Sequence, residues 1–385
     1  MTSSRYRTGD PDLDQRLLEV LAAAGATEDT DQLFEILVSA VKLAGDHADR
    51  LNLKITNAAL REMREAFKVF APYQDVPKVT IFGSARTRPD DPLYVQTRDL
   101  AGALAAAGWI IVTGAGPGIM AAGAEGAGPE HSLGVNIRLP FEQPSPLFGT
   151  DHNRLVTMKY FFTRKLMLMK ESAGFAVLPG GFGTLDEVFE LLTLLQTGKA
   201  APAPIVLLEV PGGTYWRAWE QFIRTEVAGR GLVSADDLQL ARITDDVDAA
   251  TQEILGFFRN YHSIRYVGSR LVVRLRAAPT RAELVDLNDR FADICTRGRI
   301  ESAPPQPPEV AGHDHVELPR IAMHFDRASH GRLRALIDAL NQLPSAPALA
   351  APDPDSAAAA GSPPELDDDE DPVLAEAGGP ETVAR

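Results

Sequence analysis

Apolar residues recur at three- and four-residue spacing through the first part of the chain. DQLFEILVSAVKLAG (31–45) and LREMREAFKVFAPY (60–73) carry this spacing without strand-like alternation, which predicts helices over roughly 11–73. From Lys78 the texture changes. Short runs rich in Val and Ile appear at VTIFG (79–83), WIIVTG (109–114), LGVNIRL (133–139), GFAVLPG (174–180) and PIVLLEV (204–210). Helical stretches such as LYVQTRDLAGALAAAG (93–108) and YFFTRKLMLMKES (160–172) lie between them. Continuous apolar strands separated by helices predict a parallel sheet covered on both faces. The fold class is therefore α/β, a doubly wound, Rossmann-like parallel sheet over 78–260, preceded by a helical N-terminal extension (1–77).

The pattern changes again after Tyr261, where a small α+β C-terminal unit is expected over 261–344. RLVVRLRA (270–277) and RIAMHF (320–325) read as strands, and ELVDLNDRFADICTRG (283–298) and GRLRALIDALNQL (331–343) as helices. SAPPQPPEVAGHDH (302–315) reads as a Pro-rich loop. The remainder, 345–385, is low in complexity, lacks aromatic residues and is expected to be a disordered acidic tail.

Composition narrows the function. Of the formal net charge of −15, about −9 falls in residues 345–385, which hold ten Asp/Glu and one Arg. That balance argues against a nucleic-acid partner. With 45% apolar residues but no run long enough to span a bilayer, a membrane partner is not expected either. The polar start MTSSRYRTGDPDLDQR has no apolar segment behind it, and the single cysteine, Cys295, excludes an internal disulfide. A reducing cytoplasm is the expected location.

Chemistry concentrates at three strand ends made of small residues. GSAR (83–86) places Gly83 and Ser84 at the first. TGAGPGIM (113–120) places Gly114, Gly116 and Gly118 at the second, before a helix, where backbone N–H groups could approach a phosphate. The same glycines could serve only a tight turn and close packing. A dinucleotide fingerprint would need another glycine where Met120 and Ala121 stand, and the acid that should end the next strand is missing, Glu142 coming late. NAD binding is disfavoured. A mononucleotide still fits.

LPGGFGTLDE (178–187) is the third and most specific. Gly180, Gly181 and Gly183 could present N–H groups to an anion, with the Thr184 hydroxyl and the helix dipole completing the site. Thr184-x-x-Glu187 is also a capping-box pattern with the helix starting at Thr184, and on pattern alone the cap is the commoner meaning. Glu190, on the same face, reads as a solvated or sheet-edge carboxylate rather than a second catalytic acid. Upstream, Arg164 and Lys165 lie on the helix that leads into this strand, and Arg164 could reach a phosphate or carboxylate bidentately. Lys170 reads as solvated; Phe161, Phe162, Met167 and Met169 read as core. His313-x-His315 lacks a third metal ligand in view.

Arg164-Lys165 standing fifteen residues before PGGFGTLDE, with GAGPGIM upstream, resembles the LONELY GUY (LOG) family, once described as lysine-decarboxylase-like. The resemblance covers about 78–260, and the flanks FFTRK, LTLLQTGK (192–199) and YHSIRYVG (261–268) look like the longer bacterial members. It implies hydrolysis of the N-glycosidic bond of nucleoside 5′-monophosphates, of cytokinin or ordinary purine and pyrimidine type, to free base and ribose 5-phosphate. Gly180, Gly181, Gly183 and Thr184 would hold the 5′-phosphate, Arg164 and Glu187 would be the catalytic pair, and Lys165 would lie close by. It also implies a homodimer or higher homo-oligomer and no cofactor. A decarboxylase would need a pyridoxal phosphate lysine with its ring partner, and nothing in the sequence identifies one. The alternative from another class is a non-catalytic nucleotide- or cofactor-binding carrier on the same fold. Retention of Glu187 favours the enzyme.

Overall fold

The computed structural model describes residues 6–138 and 153–348. The expected tail, from residue 349 onward, and Glu142 lie outside the described residues. The chain forms two compact units, Met1–Arg64 and Glu65–Arg385. The first holds α1 (Pro11–Ala23), α2 (Thr30–Gly45) and most of α3 (Arg50–Phe70), which runs across the boundary. Asp10 starts α1 by accepting the N–H groups of Asp12 and Leu13, with Pro11 in the first turn. Phe34 and Val38, one turn apart on α2, are buried as the helical spacing predicts.

The second unit is built on a seven-stranded sheet with every pairing parallel. Its strands are β1 (Lys78–Phe82), β2 (Ile110–Thr113), β3 (Ser132–Ile137), β4 (Leu155–Met158), β5 (Gly174–Val177), β6 (Ile205–Leu208) and β7 (Arg242–Thr244), in the order β4-β3-β2-β1-β5-β6-β7. The expected doubly wound α/β fold is the one observed. Helices α4 (Pro92–Ala106), α5 (Ile119–Ala127), α6 (Phe161–Lys170), α7 (Phe182–Gln196) and α8 (Tyr215–Phe222) supply crossovers, and α9 (Val247–Gly256) follows the last strand. β1, β2, β5 and β6 are buried at every residue, because helices cover both faces. The edge strands β4 and β7 are only four and three residues long and leave no clear apolar run in the sequence. Strand order reverses between β1 and β5, and their carboxyl ends are tied together there: Leu178 N–H donates to Phe82 O at 2.9 Å and Ser84 N–H to Pro179 O at 3.2 Å.

A four-stranded antiparallel sheet, β8 (Tyr261–Val267), β9 (Arg270–Leu275), β10 (Cys295–Ser302) and β11 (Arg320–Phe325), follows in the order β10-β11-β9-β8. α10 (Arg281–Phe291), α11 (Pro307–Ala311) and α12 (His330–Gln342) accompany it. Two expectations are corrected here. The helix expected over 283–298 stops at Phe291, because Cys295 and the residues after it pair with β11. The Pro-rich segment 302–315 is not simply a loop, since it contains α11 and the fully buried Glu309. Glu309 accepts hydrogen bonds from Arg274 (3.0 and 3.1 Å) and Arg320 (2.5 Å), which is why a carboxylate can be buried there. α12 is tied to the chain that leads into β8. Asn341 Oδ1 accepts the N–H groups of Asn260 and Tyr261 at 2.8 and 2.9 Å. Among the described residues no helix is long and apolar enough to cross a membrane.

Candidate active site

At the β1/β5 switch point the strand ends and the first turns of α7 and α8 enclose a cavity of about 760 Å³. Of the residues expected to contact a ligand, Gly83, Ser84, Gly114, Arg164, Gly180, Gly181, Gly183, Thr184 and Glu187 all line it. Gly116, Gly118 and Lys165 are not part of its lining.

The glycines divide by what their missing side chains leave room for. A Cβ at Gly114 would overlap Nη2 of Arg164, so this position stays bare to admit the guanidinium. A Cβ at Gly180 would collide with the Thr184 side chain, which folds back over the loop and is buried. Gly181 and Gly183 have nothing within 4 Å of where a Cβ would stand, because they face open space. Gly118 serves the backbone instead. At φ +68° it lies against Ser84 and Ala85, and the next residue, Ile119, donates its N–H to Ser84 O at 3.0 Å. A Cβ at Gly116 would meet the Met120 methyl at 2.7 Å.

α7 begins at Phe182, with Gly181 as its N-cap and no capping side chain. The capping box expected between Thr184 and Glu187 is therefore absent. Gly181 takes the cap position with backbone alone, which leaves Thr184 inside the first turn and Glu187 released from capping. The N–H groups of Phe182, Gly183 and Thr184 have no acceptor within the helix and carry the positive end of its dipole. A genuine capping box does form where the sequence spells Thr280-x-x-Glu283, at the start of α10.

Arg164 and Glu187 face each other across the cavity. Arg164 is buried, and its Nε donates to the Val135 carbonyl of β3 at 2.9 Å, which fixes the plane of the guanidinium. Its Nη1 stands 3.9 Å from Glu187 Oε1, near enough for attraction but beyond a hydrogen bond. Burial pushes the Glu187 carboxyl up to about 7, and the nearby Arg164 and Lys165 only partly oppose this. A carboxyl so poised exchanges a proton near neutral pH.

Lys165 is occupied elsewhere. Its ammonium donates to Asp186 at 2.8 Å and pairs with Glu190, linking α6 to α7 beside the cavity. Burial disfavours its charge, but these two carboxylates outweigh burial and raise its pKa. Glu190, expected to be solvated, is one half of this ion pair. Met167 and Met169 are core as expected, whereas Phe161 and Phe162 are 57% and 54% exposed, on the face of α6 turned from the sheet. Lys170 pairs with Glu171 at 2.8 Å. The His315 ring meets His262 edge-on, and among the described residues no group of three or more His, Cys, Asp or Glu could hold a metal ion.

Two cavity residues fall outside the set expected to contact a ligand. The Tyr215 hydroxyl donates to the Gly180 carbonyl at 2.7 Å and so ties the first turn of α8 to the glycine loop. Glu209 holds that turn in place by accepting the N–H groups of Tyr215 and Trp216 at 2.9 and 3.0 Å. Arg86 is an exposed cation on the cavity wall just beyond Gly83-Ser84. Strand order was the signal that could have found both, since each follows a strand ending at this edge.

Residues 117–254 match a family model described as "Possible lysine decarboxylase". A cytokinin riboside 5′-monophosphate phosphoribohydrolase of Mycobacterium tuberculosis is 30% identical over 169 residues, covering 41% of this chain and 86% of that protein. The chain belongs to the LONELY GUY family. Another member, the Mycobacterium marinum protein of the same name, is 29% identical over 170 residues, 42% of this chain and 87% of its own length. Arabidopsis thaliana LOG4 matches over 113 residues at 31% identity, half of its length and 29% of this chain. Among solved structures, the molybdenum cofactor carrier protein of Chlamydomonas reinhardtii aligns at 20% identity with a TM-score of 0.33, covering 47% of this LONELY GUY chain and 98% of the carrier.

Proposed function

We propose that the protein hydrolyses the N-glycosidic bond of nucleoside 5′-monophosphates, releasing base and ribose 5-phosphate. The observation that carries this reading is the Arg164–Glu187 pair, held 3.9 Å apart opposite an open glycine loop at a helix N-terminus. The 5′-phosphate sits at Gly181, Gly183 and Thr184, against the N–H groups of the first turn of α7 that lack an acceptor within the helix. Tyr215 keeps the loop in place through Gly180. The ribose then lies towards Glu187. As the bond from C1′ to the base nitrogen breaks, its electron pair leaves with the base, and positive charge builds on the ribose. The Glu187 carboxylate stabilises that charge. Water adds to C1′, and its proton passes to Glu187 and then to solvent or the departing base. Arg164, always cationic, orients the carboxylate and the substrate through its N–H fork.

The test is to incubate the protein with AMP, GMP, CMP, UMP and isopentenyladenosine 5′-monophosphate and to measure free base and ribose 5-phosphate. Base release from at least one is expected, and a folded protein that releases none overturns the proposal. A Glu187→Gln variant should keep the nucleotide and lose turnover, whereas a carrier would be little affected. We also infer a homo-oligomer. The exposed Phe161, Phe162 and Leu166 on α6 suit a face covered by a second copy, which the mass in solution would test.

A further inference from the structure

We propose that a basic cavity at one end of the four-stranded sheet binds a small molecule carrying phosphate groups. The cavity, about 680 Å³, is lined by Ser269, Thr296, Arg297, His324, Phe325 and Arg327, with no carboxylate in its wall. The residues come from the β8–β9 turn, the start of β10 and the end of β11, brought together by the strand order β10-β11-β9-β8. Buried Phe325 is its apolar floor.

The backbone is shaped to present the two arginines. β10 shifts register against β11 on both sides of Arg297, and Gly298 has a φ of +68°. Arg327 itself adopts a left-handed φ of +59°, rare for a side chain of this size, and its guanidinium lies over the Tyr266 ring at 4.8 Å. Arg297 Nη2 reaches the Ser269 hydroxyl, at 3.4 Å. The carboxylates nearby are already engaged. Asp326 accepts from Ala328 N–H, Ser329 N–H and the Ser329 hydroxyl at 2.9, 2.8 and 2.6 Å. Glu301 pairs with Arg270 and Asp293 with Arg332.

The surrounding charge agrees. Residues 261–348 contain twelve arginines, no lysine and ten acids, a net +2 in a chain of −15. Arginine is the side chain whose planar fork matches phosphate oxygens in pairs. An open surface pocket with two arginines and one histidine fits a small phosphorylated anion rather than a polymer backbone, which would need a longer basic stripe.

Calorimetric titration of the full chain with inorganic pyrophosphate tests this. A Gly183→Glu substitution places a carboxylate in the glycine-loop cavity and removes that region as a competing anion site. This variant should still bind one pyrophosphate per chain, more weakly as salt is added. Adding Arg297→Gln and Arg327→Gln should weaken binding by about tenfold for each arginine lost, and Arg297→Lys with Arg327→Lys should restore part of it. No binding by the Gly183→Glu chain, or binding unchanged by the arginine substitutions or by salt, overturns the proposal. Base release by the unsubstituted protein is measured separately, so failure here is distinguishable from failure of the proposed activity.

Discussion

Replacing Gly114 with alanine should disable the proposed active site without unfolding the protein. Gly114 has no left-handed φ, so its backbone accepts an L side chain, and the obstacle is space alone. The new methyl would overlap Nη2 of Arg164, stand 3.2 Å from its Cζ and press on Met120 Sδ at 2.7 Å. Met120 can swing aside. The guanidinium cannot do so without giving up its 2.9 Å bond to the Val135 carbonyl and its place opposite Glu187. Overpacking of this kind costs about 1–3 kcal/mol, a fall of several degrees in the melting temperature. Displacing the charge by about 1 Å should lower kcat/KM on the order of a hundredfold. Gly116→Ala is the control, because its methyl would meet only the flexible end of Met120 at 2.7 and 3.3 Å, and turnover should stay within a few-fold. The assay is base release together with thermal melting, repeated in an Arg164→Ala background. If the effect runs through Arg164, Gly114→Ala adds nothing there. Unchanged turnover in the single variant, or independent losses that multiply in the double variant, would refute the reasoning.

Other consequences can be measured directly. Burial raises Glu187 to about 7, so the folded state holds a proton that the unfolded chain has released, and stability falls as pH rises from about 4.5 to 7. Glu187→Gln should therefore gain stability over the parent across that window, by up to about 3 kcal/mol, and the gap should stay constant at higher pH. Denaturant melts at pH 5 and 8 that show the same difference would contradict this. In the same protein kcat/KM should rise with an apparent pKa near 7, as the carboxylate forms. Tyr215→Phe removes the bond to Gly180 and should cost about 1 kcal/mol, seen as a several-fold rise in KM with little change in melting. Glu309→Ala takes the shared buried carboxylate from Arg274, which keeps Asp314, and from Arg320, and should destabilise the protein by about 3 kcal/mol in urea, with Glu309→Gln milder.

The parallel sheet was legible because its central strands are buried on both faces and therefore spell unbroken apolar runs. The cavity was legible because its floor demands small residues, and glycine is conspicuous in a sequence. What misled was pattern without distance. Thr184-x-x-Glu187 has the spacing of a capping box, but Gly181 starts the helix one turn earlier and releases both side chains. Lys165 stands beside Arg164 in the chain, yet Asp186 and Glu190, more than twenty residues on, claim its charge. β8, YHSIRYV, is too polar to read as buried; Ser263 lies within reach of Arg274, and Arg265 pairs with Asp314, a contact no local window contains. Tyr215 stands in the cavity wall only because β6 lies next to β5.

The walls of the cavity differ in how freely selection can rewrite them. Gly114, Arg164 and Thr184 are wedged among other atoms, so a lineage altering any of them risks both folding and function. Phe182 is 94% exposed and Arg86 is exposed on the same wall, and neither supports the core. Substitutions at those two positions are nearly free of folding penalty, so they are where paralogues of this chain should diverge first as they acquire different substrates, while the bond-breaking pair stays as it is.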